Sequence, residues 1–134
     1  MPVRGFEDLR IWQVAHDLAL QGYQATVKFP ASEVYGLTNQ IRRAVAAVGA
    51  NIAEGYGRFS RPEYVHFMYI ARGSLMETKS FIYLARDMGY MDASAASTLL
   101  DSIDRLGVKL NNTIAAMKRA QSRKAPIADE VEAP

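Results

Sequence analysis

Apolar residues recur along this chain at intervals of three and four, in four segments that short breakers separate. That spacing places the apolar side chains on one face of an α-helix, and no segment alternates apolar and polar residues as a half-buried strand does. We therefore predict four helices and an all-α fold. The helices are predicted over residues 8–28, 33–54, 60–88 and 92–119.

Each predicted helix carries an apolar stripe that we assign to the core. In the first helix the stripe is Ile11, Trp12, Ala15, Leu18, Ala19, Gly22 and Tyr23. In the second it is Leu37, Ile41, Ala44, Val45, Val48 and Ile52. In the third it is Tyr64, Phe67, Met68, Ala71, Leu75, Thr78, Ile82 and Ala85. In the fourth it is Ala96, Leu99, Ile103, Leu106, Leu110, Ile114 and Met117.

One proline and two small residues predict the boundaries of the first two helices. Phe29-Pro30 ends the first helix, because the residue before a proline disfavours the helical region. Ser32 then suits the N-cap position of the second helix, since its hydroxyl can accept from a free backbone N–H. Gly55 suits the left-handed position just beyond that helix.

The third helix has the clearest start signal in the chain. Ser60, Pro62 and Glu63 combine an N-cap serine, a proline in the first turn and a glutamate at the third position, which together form a capping box. Gly89 is predicted to end the helix.

Long helices joined by short loops pack as antiparallel neighbours, so we predict an up-down four-helix bundle over residues 1–120. At 1.5 Å per residue the helices are about 30–40 Å long, which suits that architecture. Residues 121–134 mix proline, alanine and charge without a period, and we predict that this tail is disordered.

The composition restricts the function classes. The chain has 134 residues and no cysteine, which excludes a disulfide framework and thiolate metal sites. Charged residues follow the N-terminus at once and no long apolar run is present, so we expect neither a signal peptide nor a membrane span, and assign the cytoplasm. The net charge of +2 is mild for a nucleic-acid protein.

Several blocks of the sequence resemble a known family. They are FEDLRIWQ at 6–13, FP at 29–30, EVYGL at 33–37, QIRRA at 40–44, NIAEGYGR at 51–58, IARGSL at 70–75 with Glu77, LA at 84–85 and GY at 89–90. In this order and spacing they resemble the four-helix-bundle proteins encoded in intervening sequences of bacterial 23S ribosomal RNA genes. The resemblance covers roughly residues 6–119. One departure is Gly49, where the family usually carries proline. We expect a kink there as well, because glycine also weakens a helix.

The resemblance implies a four-helix bundle that assembles as a ring of five, an association with RNA biology, and no established catalytic activity. A related branch is similar to the accessory proteins of diversity-generating retroelements, which are basic pentamers that bind a reverse transcriptase and nucleic acid. This chain is much less basic than that branch.

Five arginines are the candidate nucleic-acid site, because guanidinium groups bind phosphate in a bidentate manner. They are Arg42, Arg43, Arg58, Arg61 and Arg72. The alternative is ordinary ion pairing with Glu54, Glu63 and Glu77, and the sequence leaves both interpretations open.

The third helix has more apolar positions than one bundle seam can use. The surplus residues are Ile70, Gly73, Phe81, Leu84 and Met88. A monomer would expose this second stripe, and contiguous apolar patches on soluble proteins usually mark an interface. We predict that it is the contact between copies of this chain.

Three other candidate sites also have a structural explanation. Glu63 and His66 form one half of a di-metal motif, but the second half is missing and the capping box already explains Glu63. Asn51 and Glu54 lack a nucleophile or phosphate loop beside them, which favours a hydrogen-bond network between helices.

Aromatic residues could stack on bases, although most lie on the core stripes. Tyr56 and Phe59 in the loop are the better candidates for exposure. The remaining aromatic candidates are Trp12, Tyr23, Tyr35, Tyr64 and Phe67.

We therefore predict a non-catalytic, oligomeric, RNA-associated protein that needs no cofactor and no metal. Its predicted partners are copies of itself, RNA and a partner protein, with no membrane. The alternative function is a ring-shaped adaptor that recruits a protein such as a reverse transcriptase.

Overall fold

The computed structural model describes residues 2–58 and 60–123. Four α-helices make up most of it: α1 (Arg10–Thr26), α2 (Leu37–Tyr56), α3 (Arg61–Asp87) and α4 (Ala93–Arg123). Short 3₁₀ turns at Phe6–Asp8 and Ala31–Glu33 precede α1 and α2. The described residues contain no strand, which confirms the all-α prediction.

Contacts between neighbouring helices show that the bundle is antiparallel. Along α3 and α4, Arg61 bonds to the carbonyl of Ala120, Arg72 to Asn111 and Lys79 to Asp104. Residue numbers rise on one helix while they fall on the other. The same holds for α1 and α2, where Arg42 bonds to Thr26 and Gly49 lies beside Trp12.

The core consists of the predicted stripes. Every predicted stripe residue of α2 and α4 is buried, and in α3 only Phe67 is half-buried instead. Tyr23 is the main error, because its side chain is 45% exposed. It lies at the edge of the α1 stripe, where the Arg42 guanidinium carbon stands 5.0 Å from its ring centroid.

The caps of α3 agree with the sequence. The Ser60 hydroxyl accepts a hydrogen bond from the backbone N–H of Glu63 at 3.3 Å. At the other end Gly89 has a φ of 79°, and the N–H of Tyr90 donates to the carbonyl of Ala85 at 2.9 Å. This is a Schellman motif, which needs a residue that tolerates positive φ.

The predicted start of α2 was wrong. Ser32 lies in the 3₁₀ turn and α2 begins four residues later than predicted, at Leu37. The capping group is the carboxylate of Glu33, whose Oε1 accepts from the N–H of Leu37 at 2.9 Å. Its Oε2 accepts from the hydroxyl of Tyr90 at 2.8 Å, which ties this turn to the loop after α3.

The predicted role of Gly55 was also wrong. α2 continues through it to Tyr56, so Gly55 is helical and buried. A Cβ atom at this position would lie 2.8 Å from the Cβ of Phe67 and 3.2 Å from Cδ1 of Tyr64. Glycine is required because α2 and α3 approach closely, and not because the backbone turns. α2 is likewise uninterrupted at Gly49.

α4 extends past the predicted end near Arg119, so the first residues of the predicted tail are helical. Met117 and Ala120 are buried, and their packing continues the seam of α4. The remainder of the predicted tail, 124–134, lies outside the described residues, and the boundary at residue 120 stays a prediction. No helix in the described ranges combines the length and apolar character that a membrane span needs.

Candidate nucleic-acid interface and exposed apolar surfaces

Arg42 faces α1. Its Nε donates to the hydroxyl of Thr26 at 2.8 Å, and one terminal nitrogen lies 3.4 Å from the carbonyl oxygen of Tyr23. The Thr26 hydroxyl in turn bonds to the carbonyls of Gly22 and Tyr23. Arg42 therefore ties the last turn of α1 to α2.

Arg43, the neighbouring residue, faces α3. It is exposed and lines a small cleft together with Gln40 and Glu77. Adjacent residues on a helix point about 100° apart, which explains why Arg42 and Arg43 face different neighbours.

Arg58 and Arg61 lie at the opposite end of the bundle. Arg58 pairs with Glu54 at 2.8 Å, and its guanidinium carbon stands 4.9 Å from the ring centroid of Phe67. Arg61 donates to the carbonyl of Ala120 at 2.7 Å. This bond ties the first turn of α3 to α4.

Arg72 faces α4. It donates to the side-chain oxygen of Asn111 at 3.0 Å, and its guanidinium carbon stands 4.8 Å from the ring centroid of Tyr69.

The five arginines do not form one cluster. Arg42 lies in the second turn of α2 and Arg58 beyond its last turn, which separates them by about 20 Å along the bundle. Arg58 and Arg61 share one end of the bundle, while Arg42, Arg43 and Arg72 face three different neighbouring helices. A phosphate-binding surface built from all five would have to extend along the molecule.

The second apolar stripe of α3 lies at the surface. We call Ile70, Gly73, Phe81, Leu84 and Met88 the α3 outer stripe. Leu84 is 49% and Met88 55% exposed, and Phe81 is half-buried. Phe81, Leu84 and Met88 also line a pocket of about 290 Å³ against the start of α2.

A second apolar surface, which the sequence did not reveal, is a groove of about 480 Å³ between α1 and α2. Trp12 and His16 stack with ring centroids 4.7 Å apart on its α1 side, next to Leu20. Its α2 side consists of small residues. They are Ala46, Gly49, Ala50 and Ala53. We call it the α1–α2 groove; its signal in the sequence is this run of small residues, which leaves space beside the large side chains of α1.

The alternative sites have structural partners. The Glu63 carboxylate accepts from the hydroxyl of Ser60, the cap of α3, at 3.1 Å. His66 lies against the ring of Phe67 with centroids 5.7 Å apart. Asn51 donates to the carbonyl of Ala47 at 2.8 Å, and Glu54 pairs with Arg58. Within residues 2–58 and 60–123, no three histidine or carboxylate side chains are grouped so that they could hold a metal ion.

The aromatic candidates are dispersed. Tyr64 is fully buried, whereas Tyr35 is 92% exposed. Tyr56 is half-buried against Tyr64, with centroids 6.2 Å apart, and Phe59 lies outside the described residues. Trp12 and Tyr23 both line the α1–α2 groove, so the aromatic candidates lie on different parts of the bundle.

A sequence profile of the 23S rRNA-intervening sequence protein family matches residues 7–112, which is most of the chain. The chain belongs to this family. The profile spans α1, α2, α3 and most of α4, so the family resemblance of the sequence blocks is confirmed over residues 7–112.

A solved structure supports the fold of this family member. It is a crystal structure of a protein with unknown function from the S23 ribosomal protein family of Bacteroides thetaiotaomicron. The TM-score is 0.70 at 20% sequence identity, and the match covers 78% of this chain and 97% of the other. No curated protein is similar enough to the chain to count as a relative. The relation to retroelement accessory proteins stays a prediction.

Proposed function

We propose that this chain is a non-catalytic, self-assembling protein that associates with RNA. Assembly is supported by the α3 outer stripe, where large apolar side chains are about half exposed on a helix whose other face already packs in the core. Exposed apolar area is unfavourable in water, and contact with a second copy would bury it.

The family resemblance sets the expected number of copies at five. A head-to-tail contact closes into a ring when its rotation allows, so each copy would use two different surfaces. Light scattering should therefore give about five times the monomer mass at micromolar concentration.

Paired variants test the surface. Leu84→Glu/Met88→Glu places two charges on the α3 outer stripe and should reduce the mass to that of a monomer. Val27→Glu/Val108→Glu is the matched control, because those valines are 71% and 60% exposed elsewhere on the bundle. A monomeric parent, or a Leu84→Glu/Met88→Glu variant with the mass of the parent, would refute the role of the stripe.

RNA association is supported by the family, whose description refers to 23S rRNA intervening sequences. The five arginines are its proposed contacts. Because Arg42 and Arg61 also bond to α1 and α4, we assign the test to Arg43 and Arg58, the two exposed arginines of the five. Arg43→Ala/Arg58→Ala should weaken RNA binding, preserve helical content and reduce the dependence of binding on salt.

A protein-binding adaptor is the second candidate, and the α1–α2 groove favours it. Ala50 is exposed in that groove, so Ala50→Glu would block it without disturbing the core. A change in the mass of the assembly would assign the groove to contacts between copies. An unchanged mass would leave the groove available to a different protein.

A further inference from the structure

A polar cleft of about 480 Å³ runs between α1 and α4, on a side of the bundle that none of the five predicted arginines lines. Two stripes meet there. α1 contributes Arg10, Gln13, Val14, Asp17, Leu18 and Gln21, and α4 contributes Ser102, Arg105 and Lys109. The residues from each helix are spaced by three and four, so they follow the two helices along their length.

Hydrogen bonds order one end of this cleft. The Ser102 hydroxyl donates to Oε1 of Gln21 at 3.3 Å, and Nε2 of Gln21 donates to Oδ2 of Asp17 at 2.8 Å. Among the described residues that line the cleft, Asp17 is the one with a carboxylate, and that carboxylate accepts the hydrogen bond from the Gln21 amide. Gln21 therefore joins α4 to α1 and holds Asp17.

The other end of the cleft is basic. Arg10 and Lys109 are exposed there. Arg105, one turn before Lys109 on the same face of α4, is exposed between the two ends and donates to the Ser102 hydroxyl at 3.4 Å. The nearby carboxylate of Asp104 is held on the α3 side by Lys79 at 2.8 Å. Arg10 is the first residue of α1, where the helix dipole also favours an anion. Charge and dipole therefore favour a negative group at this end.

We propose that this cleft binds the phosphate backbone of RNA, an assignment that rests on the RNA association proposed above. A row of cations along a helix matches a polyanion with regularly spaced charges better than it matches a single small anion. The described residues that line the cleft include no aromatic side chain on which a base could stack. Recognition is therefore electrostatic, through the guanidinium and ammonium groups of the cleft, and tolerant of base sequence.

The test uses the full chain and a fluorescein-labelled oligouridylate, with binding followed by fluorescence anisotropy. Arg105→Ala/Lys109→Ala should weaken binding by about tenfold or more at low salt, and should reduce the slope of log K against log salt by about 1.4, or about 0.7 for each lost phosphate contact. Both side chains are exposed, so circular dichroism should show the helical content of the parent.

Lys28→Ala/Arg86→Ala is the control for net charge, since it removes two positive charges at the far end of the bundle. Arg86 is half-buried and paired with Asp87, so the helical content of this variant is measured as well. Equal losses of affinity in the two variants would show that only total charge matters, and would overturn the assignment of the cleft as the phosphate site. Binding by Arg105→Ala/Lys109→Ala at the strength of the parent would also overturn that assignment, while RNA association would stand. A parent that does not bind the probe at low salt would instead contradict the proposed RNA association.

Discussion

Two glycines on α2 show how the surroundings of a residue determine its role. Both lie inside the helix, where glycine is less favourable than alanine by about 1 kcal/mol. A Cβ atom at Gly49 would meet Nε1 of Trp12 at 3.5 Å, an ordinary contact, whereas at Gly55 it would meet the Cβ of Phe67 at 2.8 Å. Gly55 is therefore a packing requirement, and Gly49 is not.

Gly55→Ala should lower the free energy of unfolding by about 1–2 kcal/mol, because overpacking of about 1–3 kcal/mol exceeds the gain in helix propensity. The obstructing atoms lie close to the α3 backbone and cannot move aside as the end of a flexible side chain would. Gly49→Ala is the control and should raise the free energy of unfolding by up to about 1 kcal/mol. Urea denaturation measures both values, and a stabilised Gly55→Ala variant would contradict the close approach of α2 and α3.

At the scale of elements, Glu33 joins the start of α2 to the loop that follows α3. Its carboxylate accepts from the N–H of Leu37 and from the hydroxyl of Tyr90. The bond from Leu37, followed by that from Tyr90, lowers the pKa of Glu33. The same bond to Glu33, followed by burial, raises the pKa of the Tyr90 hydroxyl. Phe29 packs beside Tyr90 with centroids 5.6 Å apart, so three segments meet at this contact.

This contact predicts a dependence of stability on pH. Because the pKa of Glu33 is lower in the folded chain, its contribution is present above the ordinary value of 4.5 and is lost as the pH falls through the lowered pKa. Because the pKa of Tyr90 is higher in the folded chain, its contribution is present below 10.0 and is lost as the pH rises through the raised pKa.

Glu33→Gln tests the acidic limb, since the amide keeps an acceptor oxygen but does not titrate there. The parent should be more stable than Glu33→Gln at neutral pH, and the difference in unfolding free energy should shrink as the solution becomes acidic. Tyr90→Phe should likewise be less stable than the parent at neutral pH. A difference between parent and Glu33→Gln that stays constant from neutral to acidic pH would disprove the linkage.

At the scale of the whole molecule, one bundle presents three surfaces of two kinds. The α3 outer stripe and the α1–α2 groove are apolar, and the cleft between α1 and α4 is polar with a basic end. Only the apolar surfaces lower the free energy when they leave water, so they are the ones suited to assembly. The cleft gains from contact with an anion while staying hydrated.

Assembly through the α3 outer stripe predicts that thermal stability depends on protein concentration. Copies that bind only the folded state stabilise it by mass action, so the unfolding temperature of the parent should rise with concentration. Leu84→Glu/Met88→Glu should unfold at a temperature that dilution does not change. Differential scanning fluorimetry over a wide concentration range measures both, and an unfolding temperature of the parent that is independent of concentration would contradict assembly.

The sequence by itself determined the features that depend on neighbours along the chain. The periodicity of α2 and α4 identified their buried residues, and Ser60 and Gly89 identified the ends of α3. These predictions succeeded because a helix places its residues at a fixed angle and because caps act within a few residues of one another. The order of the sequence blocks also identified the family.

Only the tertiary structure decided which distant side chains meet. Glu33 replaces Ser32 as the cap of α2 with the help of Tyr90, and Gly55 is required because Phe67 lies against it. Arg105 and Lys109 line a cleft because α1 lies beside α4. Periodicity gives the direction in which a side chain leaves its own helix. The neighbour that it meets depends on how the helices are arranged around the core, and that arrangement comes from their packing.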